Sequence, residues 1–298
     1  MRRLLITGAT GFVGEHLLQC ARAKYEVHGL YHQSHFVGDE IFAHQFDLAN
    51  VNKIKPLLDE IAPDAIIHTA AIANPDQCER DPNRAVLVNL KATEAIASWA
   101  SQNGARLIFT STDMVFDGTK GNYSETDVPN PISHYSQTKA AAETAVIASQ
   151  GSYVVARVAL VYGIGISRTT SFFHQMVLKL TNAEKVTLFD DQFRSPILVE
   201  NLAEALLELV EHPFIGILHL GGSERISRWE LGWRACQALR LPVQYIEKKS
   251  MFAIAFAAFR PQDVSLNVNL AKQILKVKLL NCDEGLAKIK ATHQWIGR

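Results

Sequence analysis

An apolar triplet, Leu4-Leu5-Ile6, runs directly into Thr7-Gly8-Ala9-Thr10-Gly11-Phe12-Val13-Gly14. The triplet reads as a short buried strand, and the residues after Gly11 read as the start of a helix. Glycines at a strand-to-helix turn let backbone N–H groups approach a pyrophosphate, and the helix N-terminus faces its charge. Gly8, Thr10, Gly11, Phe12, Val13 and Gly14 are therefore expected to hold a dinucleotide.

Outward from this turn the first half of the chain repeats the same rhythm. Leu4–Thr7, Glu26–Leu30, Ala65–Thr69, Leu107–Ser111 and Tyr153–Val158 read as strands, with a further short one near His44–Phe46. Helical patterns over Phe12–Ala23, Val51–Ile61, Asn83–Asn103 and Ser133–Ser149 separate them. Strands alternating with helices predict an α/β fold, a Rossmann-type doubly wound parallel sheet with the ligand at the strands' carboxyl ends. Tyr162-Gly163-Ile164-Gly165 ends the regular alternation. Residues 1–163 are expected to form the dinucleotide-binding domain. Residues 164–298 are expected to form mainly a smaller C-terminal substrate-binding lobe, with about 190–215 returning to the first domain. Helices are expected over Asn201–Glu211 and Arg228–Leu239, and lobe strands over Gly216–Leu220 and Val243–Ile246. The apolar run Met251–Phe259 reads as a buried lobe helix, or else as a lid or wall of the cleft.

Bulk properties narrow the classes. The 298 residues are 48% hydrophobic and 20% charged, and 30 basic residues balance 30 acidic ones. No basic footprint points to a nucleic acid or a membrane surface. Four scattered cysteines, Cys20, Cys78, Cys236 and Cys282, form no Cys-x-x-Cys, so neither a metal site nor a disulfide framework is expected, and a cytoplasmic setting fits. A nine-residue apolar run is too short to span a bilayer as a helix.

The second chemical signal is Tyr135-Ser136-Gln137-Thr138-Lys139. Four residues apart on a helix, a phenol and an ammonium share one face, and a neighbouring cation is expected to lower the phenol's pKa. Ser111-Thr112-Asp113 ends the strand before this helix, so a hydroxyl there points at the ligand crevice. One of the two hydroxyls, Ser111 or Thr112, is expected to hold a carbonyl oxygen while Tyr135 delivers a proton. Asp113 is read as a cap or buttress at the substrate side.

Cofactor choice is read at the second strand. A carboxylate there would favour NAD by binding the ribose hydroxyls. Instead the chain has His32-Gln33-Ser34, which suit a 2′-phosphate, so NADP is preferred over NAD. Asp47-Leu48 follows the next strand, where Asp47 is expected either to accept from the adenine amino group or to cap a helix. Thr69-Ala70-Ala71 are small enough for close cofactor approach, with core packing as the alternative. Asn89, a mediocre helix former inside a long helix, is expected to make a buried hydrogen bond.

Together these residues resemble the extended short-chain dehydrogenase/reductase superfamily and, within it, the dTDP-4-dehydrorhamnose reductase family. The resemblance runs through Thr7–Gly14, Ala70-Ala71, the string from Ser111 to Gly118, Asn130-Pro131 and Arg157 to Gly163. It continues through Arg194-Ser195-Pro196, Asn201–Ala205, Gly216–Gly221 and Arg260 to Leu266. It implies a catalytic Thr112, Tyr135 and Lys139, with Lys139 and Tyr135 also touching the cofactor and Asn89 on the cofactor side. It also implies Arg194 and Arg260 on a nucleotide sugar, and a second copy of the chain as a partner. A family Trp flanking the sugar is here Leu160, and an Asp-Lys pair is here part of Asn74-Pro75-Asp76-Gln77, so the sugar subsite is expected to differ. The implied activity is NAD(P)H-dependent reduction of the 4-keto group of a nucleotide-linked deoxysugar. The alternatives are a non-catalytic subunit like the regulatory one of methionine adenosyltransferase, and a nucleotide-sugar epimerase. Met114 after Asp113 argues against a dehydratase.

Overall fold

The computed structural model describes residues 1–34, 41–166 and 171–293. Its strands are β1 (Arg3–Thr7), β2 (Glu26–Tyr31), β3 (Ile41–Gln45), β4 (Ala65–His68), β5 (Arg106–Thr112), β6 (Tyr153–Val158), β7 (Val161–Tyr162), β8 (Val186–Phe189), β9 (Phe193–Arg194), β10 (Ile197–Leu198), β11 (Gly216–Leu220), β12 (Ile226–Ser227) and β13 (Ile246–Lys249). Its helices are α1 (Phe12–Ala21), α2 (Ile54–Ile61), α3 (Pro75–Arg80), α4 (Pro82–Ala85), α5 (Ala92–Asn103), α6 (His134–Ala148), α7 (Phe172–Thr181), α8 (Val199–Glu211), α9 (Arg228–Leu239), α10 (Asn269–Ile274) and α11 (Cys282–Thr292). No helix among the described residues is long and apolar enough to cross a membrane.

Seven strands form one parallel sheet in the order β11-β6-β5-β4-β1-β2-β3. Successive strand residues point to opposite faces. Leu4, Ile6, Ile67, Val154 and Ala156 therefore enter the core shared with α1 and α8. Leu5, Ile66, Phe109 and Val155 enter the opposite core, shared with α2, α5 and α6. Burial on both faces explains why these strands read as unbroken apolar runs. The strand order reverses between β1 and β4, which opens a crevice at their carboxyl ends. A third core joins α7, α9 and α11 to β8, around Phe173, Leu188 and Leu231.

The elements expected from sequence form, with four differences. β11 pairs with β6 and is the seventh strand of the main sheet, not part of the lobe. Residues Val243–Tyr245 make a single tight turn, and the strand begins at Ile246 and pairs with β8. Met251–Phe259 is not a buried helix: one turn at Met251–Ala253 gives way to irregular chain, with Phe252 and Phe259 72% and 78% exposed. Only Met251 and Ala258 of that run are buried, so it lacks the continuous apolar face a packed helix needs.

The helix expected from Asn83 to Asn103 contains a wide π turn at Val86–Lys91. Such turns accommodate a side chain with a special task. Here it is Asn89, 1% exposed, whose amide accepts from Ile72 N at 2.8 Å and donates to Ile72 O and to Thr138 Oγ1.

Candidate active site

The glycine turn is built from backbone contacts that leave no room for side chains. Gly8 has φ +67, and Gly11 N donates to Gly8 O at 2.8 Å. A Cβ on Gly14 would lie 2.1 Å from Gly8 O, so α1 meets the turn only because position 14 is glycine. Below it, Thr7 Oγ1 and Thr93 Oγ1 lie 2.7 and 3.0 Å from the two nitrogens of His68. Thr69 Oγ1 donates to Thr7 O at 2.6 Å, and Ala70 N donates to Thr7 Oγ1. Burial pushes His68 down to about 3, so it is a neutral strut. His68 carries no sequence signal for this role; its two ring partners come from two other segments, β1 and α5.

Two adjoining cavities share Gly8, Ala70 and Ala71. The larger, about 670 Å³, takes Gly11, Phe12, Val13, Gly14 and Thr69, then passes Thr112, Tyr135 and Lys139 to reach Arg194 and Arg260. The smaller, about 360 Å³, is lined by Thr10, His32, Gln33, Asp47 and Leu48. The cradle fits a dinucleotide: a chain of backbone N–H groups, no side chain filling the turn, and one cavity for each end of an extended ligand. Asn89 lines neither cavity; it holds the Ile72 turn from behind. Asp47 Oδ1 accepts from Ala49 N at 2.9 Å, and Asp47 Oδ2 lies 3.0 Å from Arg84 Nη2 and 3.5 Å from His32 Nε2. Arg84, at the start of the helical run, was missed by sequence reading.

Helix α6 starts where Ser133 Oγ accepts from Ser136 N and Ser136 Oγ accepts from Ser133 N, a reciprocal cap. The cap sets Tyr135 and Lys139 on the face turned to β5, 8% and 2% exposed. Lys139 Nζ donates to Thr110 O at 2.7 Å and lies 4.1 Å from the Phe109 ring centre. Burial lowers Lys139 to about 7, with Glu143 opposing. The Tyr135 phenol is pushed up by burial, with the Thr112 hydroxyl opposing. This corrects the expectation from spacing alone that Lys139 holds the phenol below its ordinary value, because the ammonium is directed at a carbonyl and a ring. Glu143 is itself paired with Arg157 at 2.8 Å, both nearly sealed from solvent, and accepts from Ser111 Oγ. Ser111 is thereby committed to the core, which leaves Thr112 as the strand-end hydroxyl facing the cavity.

Thr112 Oγ1 accepts from Met114 N and donates to Asp113 Oδ1, both at 3.2 Å. Asp113 is 4% exposed, its Oδ2 has no hydrogen-bond partner among the described residues, and burial raises it to about 6 against the pull of Arg194.

The two arginines expected to bind substrate differ from that expectation in what their donors do. Arg194 is 5% exposed; Nη1 donates to Phe193 O and Gln262 O, and Nη2 to Pro261 O. Its Nε lies 3.8 Å from Asp113 Oδ2. The fork expected to meet phosphate is thus committed to backbone carbonyls. Arg260 pairs with Asp76 at 2.8 Å, while Asp263 pairs with Arg225. Arg260 Nη1 is buried with no partner among the described residues. A third arginine, Arg228 at the start of α9, also lines the cavity and was not anticipated. It lies 3.9 Å over the Phe172 ring, with no ion pair within 4 Å among the described residues, and burial and Arg194 lower it to about 9. Phe189 and Phe256, edge to face at 5.9 Å, add an aromatic wall, so the Met251–Phe259 run does reach the cleft through Phe256.

A strand-end threonine, a helical Tyr and Lys one turn apart, and a glycine turn opening onto the same crevice define a short-chain dehydrogenase/reductase of the extended type. Within that class the chain belongs to the RmlD substrate binding domain family, whose model matches residues 1–294. It is 33% identical to methionine adenosyltransferase 2 subunit beta of Xenopus tropicalis, over 82% of this chain and 74% of that one. It is 30% identical to the probable low-salt glycan biosynthesis reductase Agl14 of Haloferax volcanii, over 96% of both. Among solved structures, the dTDP-4-dehydrorhamnose reductase of Bacillus anthracis in complex with NADP superposes with a TM-score of 0.84 at 25% identity, over 98% of this chain and 100% of that one.

Proposed function

We propose that this protein is an NAD(P)H-dependent reductase of a keto group, with the 4-keto group of a nucleotide-linked deoxysugar as substrate and NADP preferred over NAD. The observation that carries this reading is that Thr112 and Tyr135 face the one cavity that runs from the glycine turn to the arginine end. When bound, the reduced nicotinamide supplies a hydride to the carbonyl carbon. Thr112 holds the carbonyl oxygen by donating its hydroxyl proton. Tyr135 gives its phenolic proton to that oxygen as it becomes an alkoxide, which general acid catalysis makes worth roughly 10²–10⁴-fold. Lys139, one helical turn on and lining the same cavity, offers donors to the nicotinamide ribose. Arg228 and the open Nη1 of Arg260 meet the anionic part of the substrate, with forked donors matched to phosphate oxygens. Residues 1–163 carry the cofactor side, the following residues supply the substrate side, and four unpaired cysteines suit a cytoplasmic protein.

The test follows loss of reduced-nicotinamide absorbance when purified protein is mixed with NADPH or NADH and a panel of keto-sugar nucleotides. Turnover of at least one of them is expected. One observation favours a second reading, a non-catalytic nucleotide-binding subunit: the similarity to the beta subunit of methionine adenosyltransferase 2. Tight NADPH binding with no reduction of any keto-sugar, together with capture of a partner enzyme, would establish that reading instead.

A further inference from the structure

Asp113 raises a question that the proton donor alone does not answer. Thr112 Oγ1 has one proton, and Asp113 Oδ1, 3.2 Å away, competes for it with the Tyr135 phenol. A hydroxyl that donates to a carboxylate has no proton left for a substrate carbonyl. The carboxyl is otherwise poorly served: 4% exposed, Oδ2 without a hydrogen-bond partner among the described residues, and the nearest guanidinium nitrogen 3.8 Å away.

We propose that Asp113 is a positioning residue that sets the direction of the Thr112 hydroxyl, holding its proton away from the substrate as carboxylate and releasing it toward the carbonyl as carboxylic acid. In the acid form the carboxyl O–H donates to Thr112 Oγ1, and Thr112 donates onward to the carbonyl oxygen. Asp113 takes its proton from solvent before hydride transfer and keeps it through the step; the proton consumed by the alkoxide still leaves Tyr135. The inference rests on the reductase reading and adds to it a dependence on a residue outside the Thr-Tyr-Lys set.

The groups around Asp113 set its balance. Arg194 from β9 favours the carboxylate, as does Arg228 from the start of α9. Arg260 acts on both guanidinium groups from the following loop, and Tyr135 faces Asp113 from α6. Burial outweighs the arginines and places the titration at about 6. A substrate that fills the cavity excludes more water and favours the acid form further.

The experiment compares pH profiles of kcat, with NADPH and a reducible keto-sugar nucleotide, for wild type and Asp113→Asn. Wild type is expected to fall through the Asp113 titration to a lower plateau, by about tenfold or more, since one lost donor at a developing oxyanion typically costs ~10²-fold or more. Asp113→Asn, whose amide N–H donates to Thr112 at every pH, is expected to lose that step. A step that persists unchanged in the variant belongs to Lys139 and overturns the proposal, as does activity that rises with pH through the same window. A second measurement needs neither turnover nor a folded Asp113→Asn. Carboxyl ¹³C NMR of labelled aspartate in Thr112→Val is expected to move the Asp113 midpoint up by about half a pH unit or more, because the charge-assisted hydrogen bond lost by the carboxylate outweighs the one lost by the acid. An unmoved midpoint overturns the coupling. A moved midpoint in a protein that reduces no keto-sugar supports the coupling and sinks only the reductase reading.

Discussion

Tyr135 and Lys139 show what burial does to a phenol and an ammonium one helical turn apart. Replacing Tyr135 by Phe removes the proton donor and little else, so kcat is expected to fall about 10²–10⁴-fold with NADPH affinity held within a few-fold. Stopped-flow turnover alongside calorimetric binding checks both halves. Lys139 has a consequence for stability as well. Its folded pKa is about 7, whereas an unfolded lysine titrates near ~10.4. Between those values the unfolded chain holds the extra proton, so the Lys139 contribution makes stability rise with pH from about 7 to about 10. Tyr135 has the opposite sign above about 10, where the folded phenol keeps its proton longer than the unfolded one. Urea unfolding of the ligand-free protein is expected to show the rise, and Lys139→Met to flatten it while unfolding at higher urea than wild type at pH 7.

At the scale of elements, the glycine turn lies between two adjoining cavities, one of which reaches the ends of β2 and β3. Gly14→Ala puts a Cβ against Gly8 O and the Ala9 backbone, neither of which is the end of a flexible side chain. The variant is expected to lose about 1–3 kcal/mol and most cofactor affinity together, as thermal melting with and without NADPH would show. At the adenosine end, Arg84 compensates the charge of Asp47 beside His32. Arg84→Ala leaves that carboxylate facing the cavity and is expected to weaken NADPH about tenfold more than NADH in calorimetric titration. A wild type that prefers NADH overturns the assignment of His32 and Gln33 to a 2′-phosphate. Both α1 and α6 were legible in the sequence because their signals are local: a glycine turn after an apolar run, and a helical pattern carrying a Tyr-x-x-x-Lys spacing. The π turn was not, since Asn89 demands it only after folding brings Ile72 and Thr138 alongside.

For the molecule as a whole, buried arginines tie distant segments together. Arg157 and Glu143 link β6 to α6, and Arg106 gathers the carbonyls of Leu209, His212 and Phe214 at the end of α8. Arg157→Ala strands a buried carboxylate and is expected to destabilise by about 3–5 kcal/mol in denaturant unfolding. Arg194→Ala is expected to lower the melting temperature as well as raise KM, because its donors hold the chain around Pro261 and Gln262. Arg228→Ala is expected to raise KM for a nucleotide sugar with much less effect on melting. Equal loss of stability in both variants would contradict this division of roles.

What the sequence by itself determined is what short-range geometry dictates. A strand entering a glycine turn needs positive φ at Gly8 and no Cβ at Gly14, and residues four apart on a helix share a face; both constraints are satisfied within a few residues of chain. The parallel sheet was equally legible, because strands covered on both faces leave continuous apolar runs. Tertiary structure alone decided that Gly216–Leu220 completes the main sheet, and that Arg194 is spent on carbonyls while Arg228 is left to the cavity. Each depends on which donors and acceptors meet across long sequence separations, and on how much water burial removes from them. Charge state and hydrogen-bond direction follow from that environment, and one-dimensional spacing does not encode it.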